Sequence, residues 1–313
     1  MAEGFPKDLV EFVAEFATEE ACQRYLLNVR WPDGIVCPVC GSMTGWITAR
    51  GRYHCSSCGR QTSPTAGTIL HNSRVPLKKW FLAMWLVCTQ KTGVSAKDLQ
   101  RELGLGSYTT AWLMLQKLRQ AMIRIGRDRL AGTVEIDETY VGGTEEGVRG
   151  RELVKKALVV IAVEVEGRKM GRVRLRHIPD ASGTSLIGFV VDCVEKGSLI
   201  HTDGWKGYTG LDDAGYCHSV THTCGDTEVA VDVFAHVHLV ASHLKRWLGA
   251  THQGRVGHKH LQRYLDEFSF RFNRRRSRHV GKIFHRLSEQ LVLRQALTYP
   301  QITNGPQNAT GVK

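Results

Sequence analysis

Two Cys-x-x-Cys pairs constrain this chain more than any other feature. CPVC supplies Cys37 and Cys40, CSSC supplies Cys55 and Cys58, and fourteen residues separate the pairs. Each such turn presents two thiolates, and two turns complete the tetrahedral four-sulfur set that structural zinc prefers. The segment around them, residues 31–70, is punctuated by Gly and Cys and is too poor in apolar residues to fold without metal. The spacing therefore predicts a zinc ribbon holding one structural Zn²⁺. A closed four-thiolate shell does structural work, so any catalysis lies elsewhere. An odd total of nine cysteines argues against a disulfide framework. Arg50, Arg52 and Arg60 beside the cysteines are positioned for contact with DNA.

Charge points the same way. The chain has 313 residues and a net charge of +12, but residues 236–313 hold 14 Lys and Arg against 3 Asp and Glu, while residues 1–235 hold 28 against 27. A locally basic surface favours a polyanion through counterion release. Nucleic acid is the expected partner; the plainer alternative is a solvated basic tail. No run of eighteen apolar residues is present, so no membrane span is expected. The acidic opening MAEGFPKDLVEF lacks a signal-peptide core, which predicts a cytoplasmic location.

Helical apolar spacing marks residues 7–28 and 77–125. Within GVSAKDLQRELGLGSYTTAWLMLQKLRQAM, Ser95 is placed to cap one helix and Ser107 the next, with GLG as the turn between. This is helix-turn-helix grammar. It would point Ser107, Tyr108, Thr109 and Thr110 at a DNA groove; the alternative is a plain helical hairpin. Trp80, Trp85 and Trp112 read as core. From TVEIDETYVGG onward the chain alternates like strand, with Val134 and Ile136 on one face and Glu135 and Asp137 on the other. Two strands flank EGRKMG, a helix covers about 181–195, and SLIHTDG is a further strand ending at Asp203. From 236 the chain is mostly helix, and the tail from 299 reads as disordered.

Asp137 and Asp203 are two carboxylates at strand ends. Such a pair can bridge two divalent cations and support in-line phosphoryl displacement, although each alone is equally consistent with a cap or turn. Cys217, His218, His222 and Cys224 are loosely spaced, and a strand and turn with incidental ligands is the favoured reading. In FRFNRRRSRH, Arg271, Arg274, Arg275, Arg276 and Arg278 interleave with phenylalanines and are candidates for phosphate contact. Arg274 to Arg276 cannot all face one way on a helix, so some are expected to pack internally.

EIDETYVGG, HTDGWKGY, LKRWLGATHQG and HLQRYLDEFSFRFNRR together resemble bacterial insertion-sequence transposases of the DDE class, in the subgroup with an N-terminal zinc ribbon and an ISXO-like catalytic domain. The resemblance runs from about residue 15 to about 297. It implies an α/β fold, an RNase-H-like mixed sheet preceded by the ribbon and the helix-turn-helix. It implies Asp137 and Asp203 as the first two catalytic acids and a pair of Mg²⁺ or Mn²⁺ ions. The third ligand of such enzymes often follows the second after 34 intervening residues, with a basic residue seven further on. That count reaches His238 and then Lys245, so His238 stands where Glu is usual, and Lys245, with Arg246 beside it, is implied at the DNA. Glu267, Asp226, Glu228 and Asp232 are rivals for the third position.

The domain organisation expected is helices over 1–30, zinc ribbon over 31–70, helix-turn-helix over 71–128, catalytic domain with basic C-terminal helices over 129–298, and a tail over 299–313. The function implied is a transposase that binds terminal inverted repeats, hydrolyses phosphodiesters and transfers strands to target DNA. Double-stranded DNA is its partner, and it works as a homodimer or larger assembly. The competing reading is a catalytically inactive DNA-binding regulator.

Overall fold

The computed structural model describes residues 4–142, 156–221, 234–254 and 256–305. Contacts gather them into two units, one holding residues up to Ile125 together with those from Arg276, the other Gly126–Arg275.

The first unit begins with α1 (Leu9–Glu15) and α2 (Glu19–Arg30), capped by Asp8 and Thr18 through their side-chain oxygens. Strands β1 (Gly45–Ile47), β2 (Tyr53–Cys55) and β3 (Gln61–Thr62) form an antiparallel sheet in that order. Helix α3 (Leu77–Thr89) starts at Pro76, which has no side chain to cap it. Glu19 of α2 does so instead, accepting from the N–H groups of Leu77 at 2.7 Å and Lys78 at 3.2 Å, as a carboxylate at a helix N-terminus should. Helices α4 (Ala96–Glu102) and α5 (Tyr108–Ala121) carry the predicted Ser95 and Ser107 caps. Between them Gly104 adopts φ +54°, Gly104 N–H donates to Arg101 O, and Leu105 N–H reaches back to Gln100 O at 2.9 Å. That double bond pattern ends α4 sharply and sets the turn.

The second unit is a five-stranded sheet in the order β6-β5-β4-β7-β8. Strands β4 (Thr133–Val141), β5 (Ala157–Glu166) and β6 (Lys169–Ile178) form an antiparallel meander. Helix α6 (Gly183–Cys193) then leads to β7 (Leu199–Thr202), parallel to β4, and β8 (Cys217–Val220) lies parallel to β7. Helices α7 (Ala235–His252) and α8 (His258–Phe272) follow. Val134 and Ile136 of β4 join α6 in one apolar layer, while Val159, Ile161 and Val163 of β5 join α7 and α8 in the other. The near-continuous apolar run of β5 is thus buried on both faces.

β6 is an edge strand, and exposed edges invite mispairing. Side chains of the α8 segment cover this one. Asn273 accepts from Val173 N–H at 2.7 Å and donates to Val173 O at 3.2 Å. Gln262 accepts from His177 N–H at 2.9 Å and donates to Leu175 O at 3.3 Å. Two amides therefore stand in for a neighbouring strand.

The last helices, α9 (Val280–Leu293) and α10 (Tyr299–Thr303), belong to the first unit, not to the sheet unit with which the sequence groups residues to 298. The reason is aromatic. Phe284 of α9 lies 5.2 Å from Phe12, 5.5 Å from Phe81 and 5.7 Å from Tyr25, ring centre to ring centre. The tail also departs from expectation. Thr298 and Gln301 form a reciprocal capping box, and Ile302 is buried, so the chain is helical where disorder was predicted. Residues 306–313 lie outside the described set.

Replacing Asn273 with Ala leaves the Val173 N–H unbonded at the covered edge, while the Val173 carbonyl keeps the Arg174 guanidinium at 3.0 Å. A loss of about 1–3 kcal/mol is expected, read as a lowered urea midpoint of the full chain; an unchanged midpoint contradicts the edge-covering role.

Candidate metal centres and nucleic-acid surfaces

Both Cys-x-x-Cys turns close with a glycine, Gly41 at φ +73° and Gly59 at φ +69°, and each glycine N–H returns to the first cysteine's carbonyl at 2.9 Å. The four sulfurs lie within 4.8 Å of one another. Cys37 and Cys58 are 3.7 Å apart, and Cys40 and Cys55 are 3.6 Å apart. Ligands at the usual zinc–sulfur length in a tetrahedron would sit roughly 3.8 Å apart, so this set fits zinc. The amide of Cys58 draws the Cys55 thiol down to about 6 and that of Cys40 lowers the Cys37 thiol, whereas at Cys40 the pull of the Ser42 amide is outweighed by the neighbouring sulfurs and burial, which raise it to about 12. The apolar core beneath is only Cys37, Tyr53 and Cys55, with Ile35 against it. That core cannot offset a backbone entropy of about 1–2 kcal/mol per ordered residue.

The second centre is built on β4. Its register against β5 pairs Glu135 with Val163 and Asp137 with Ile161, and those β5 residues lie in the layer that packs on α7 and α8. Glu135 is buried there. It accepts from His236 Nδ1 at 2.6 Å and from Val237 N–H at 3.0 Å. Helix α7 has Phe234 at its N-cap and no cap from its own side chains, so the strand's carboxylate caps the helix. Two residues on, Asp137 Oδ2 meets His238 Nε2 at 3.2 Å, and Asp137 Oδ1 accepts from Glu138 N–H at 2.8 Å. The His238 pKa is raised, chiefly by its hydrogen bond to Asp137, with burial opposing.

Asp203 follows β7 in a tightly pinned loop. Its Oδ1 accepts from Trp205 N–H at 3.0 Å, and the Trp205 indole donates to Ala181 O at 2.8 Å. A side chain at Gly207 would meet Ala181 O at 2.6 Å, so glycine is required for the loop to press against the entry to α6. One oxygen of each aspartate is thus held by a backbone N–H. Asp203 does not close on the Asp137–His238 pair as tightly as the cysteines do: among the described residues the four cysteines are the group whose ligand atoms lie within 4.8 Å. Two carboxylates and an imidazole are a donor set that suits Mn²⁺ or Mg²⁺, with the nitrogen favouring the softer ion. Lys245 lies two turns along α7; although its side chain reaches solvent, desolvation by the surrounding protein and then the nearby Lys156 lower its pKa, with the Asp137 charge opposing.

The rivals for the third position fare differently. Glu267 is buried on α8 with Arg271 at 3.9 Å. Asp226, Glu228 and Asp232 lie outside the described residues, as do His222 and Cys224. His218 bonds Thr202 Oγ1 at 2.8 Å, a strand-to-strand contact in keeping with the favoured structural reading.

Of the predicted DNA contacts, Ser107, Tyr108 and Thr109 are exposed and Thr110 is half-buried at the start of α5, and Lys245, Arg246, Arg276 and Arg278 are exposed. Three arginines are engaged internally. Arg271 is mostly buried beside Glu267. Arg274 lies over the Phe270 ring at 3.9 Å, and Arg275 over Phe272 at 4.0 Å while donating to Gly171 O at 3.2 Å. Glu135, His236 and Trp205 were not singled out from sequence. The shared face of Glu135 and Asp137 was the available signal for the first; nothing local marks the others.

Residues 129–273 match the ISXO2-like transposase domain, and residues 17–61 match the transposase zinc-ribbon domain. A protein of Halobacterium salinarum, described as an uncharacterized protein in transposable element ISH50, is 28% identical over 281 residues, covering 83% of this chain and 92% of its own. No solved structure matches the chain.

Two outcomes are expected. Removing zinc with a strong chelator should unfold the ribbon, with one equivalent of zinc released per chain; no bound zinc in protein purified without chelator contradicts the assignment. Glu135→Ala should lower the urea midpoint by an amount worth about 1–3 kcal/mol, and Glu135→Gln, which still accepts from Val237, should recover part of it. Equal loss in both would contradict the cap.

Proposed function

From a chain that belongs to the ISXO2-like insertion-sequence transposases, carrying their catalytic domain behind their zinc ribbon, we propose a metal-dependent enzyme that cuts DNA at the ends of its own element and joins them to a target. The observation that carries this reading is the 3.2 Å approach of His238 Nε2 to Asp137 Oδ2. It brings a donor atom of α7 beside Asp137, which supports reading His238 as the third ligand.

Asp137, Asp203 and His238 would hold two divalent cations. When bound, these neutralise the phosphodiester and activate the attacking oxygen. Asp137 and Asp203 supply carboxylate oxygens from a strand and a loop that neighbouring backbone groups hold rigid. His238 supplies a neutral nitrogen in place of a charge, which leaves the site less acidic than three carboxylates would. Glu135 keeps α7 seated, so His238 stays opposite Asp137. Lys245 places an ammonium on the same helix for a strand phosphate, and Arg246, Arg276 and Arg278 add to the backbone contact. The zinc ribbon and the first turn of α5 would recognise the terminal inverted repeats as duplex DNA. Cutting two ends together calls for at least a dimer.

The test is cleavage of a supercoiled plasmid carrying the element's ends, with Mn²⁺ and with Mg²⁺. Asp137→Ala and Asp203→Ala should each fall to background while still binding the ends. His238→Ala should lose cleavage and His238→Glu should retain it. Full cleavage by either aspartate variant excludes the site. End binding by the wild type with no cleavage under either metal makes the chain a regulator instead.

A further inference from the structure

Strand register sets three side chains in a row across the outer face of the zinc ribbon. Trp46 of β1 pairs with His54 of β2, and His54 pairs with Gln61 of β3. Side chains alternate along a strand, so this row faces away from Tyr53 and Cys55, which form the small core on the other side. The Trp46 and His54 rings lie 4.4 Å apart, tilted by 35°. The imidazole thus backs one face of the indole. The rest is open: Trp46 is 56% exposed, the most exposed of the chain's seven tryptophans. Arg52 is exposed as well. It precedes His54 by two residues and so shares the face, as the diagonal neighbour of Trp46 about 7–8 Å away.

The charge around this face has one sign. From Gly34 to Val75 the chain has four arginines and no Asp or Glu. Those arginines outweigh the charge of −2 that four thiolates on one Zn²⁺ carry. A positive face repels a second copy of itself but attracts a polyanion. The exposed indole adds a demand for a flat ring. Nucleotides meet both demands when unpaired, because the base stacks on the aromatic and the phosphate meets the cation. Within a duplex the neighbouring base pairs already cover both faces of a base. We propose that the outer ribbon face binds an unpaired nucleotide of the DNA, its base on Trp46 and its phosphate on Arg52. This rests on DNA as the partner, and it gives the ribbon a task beyond reading duplex repeats. A strand end at a cut is where such a nucleotide would arise.

The test is fluorescence anisotropy on the full zinc-loaded chain, with labelled oligothymidylate and with a duplex of equal length. Trp46→Ala should weaken oligothymidylate binding about tenfold or more and leave duplex affinity unchanged, while Trp46→Phe recovers most of the loss. Zinc content per chain checks that the ribbon stays folded. Arg52→Gln probes the same face without touching the ring. It should lower the slope of log affinity against log salt by about 0.7 on the single strand. Wild-type binding to neither DNA removes the DNA reading itself. Duplex binding without oligothymidylate binding, or an equal loss for both DNAs in Trp46→Ala, overturns the stacking site alone. Unchanged affinities in Trp46→Ala and Arg52→Gln overturn it too, and reduced self-association of Trp46→Ala in sedimentation would then assign the face to a second copy of the chain.

Discussion

The Glu135 carboxylate ties the middle of β4 to the first turn of α7, bonding His236 and the Val237 N–H. The position of His238 follows from that tie. Because side chains alternate along a strand, Glu135 and Asp137 share a face while Val134 and Ile136 pack under α6. A slip of one residue in the pairing with β5 would exchange the faces. It would then bury the acids among α6's apolar side chains. Register, helix seat and the Asp137–His238 approach are therefore one linked constraint.

Asp203 reaches the same region by a different route. Its parallel strand β7 lies beside β4, and the loop after it is fixed by a turn bond, an indole–carbonyl bond and a close-packed glycine. Rigid seats for both aspartates suit the phosphoryl transfer proposed for them, in which positioning and charge neutralisation would do most of the work. At the other end of the sheet, Asn273 and Gln262 cover the β6 edge, and Arg275 holds the β5–β6 hairpin. These residues stabilise the platform.

Much of this was legible in the sequence because the relevant signals are local. The cysteine pairs, the Ser95 and Ser107 caps and the alternation of TVEIDETYV depend on neighbours within a few residues. The mixed sheet and the place of His238 came with the family resemblance. Contacts made across the fold were less legible. Nothing in VGKIF foretells that Phe284 packs among the aromatic rings of α1 and α3. Helix geometry foretells that some of Arg274 to Arg276 pack internally but not which, and ring stacking and backbone carbonyls engage Arg274 and Arg275. The capping box at Thr298 was present in the sequence but was overridden by the polar composition around it.

The central claim is that Asp137, Asp203 and His238 form a divalent-cation site distinct from the zinc ribbon. Anomalous scattering from a crystal of the full chain soaked in Mn²⁺ tests it most directly. The account predicts manganese density bounded by the two aspartate carboxylates and His238 Nε2, with zinc density confined to the four cysteines. Manganese bound away from these residues, or absent from them at saturating concentration, contradicts it.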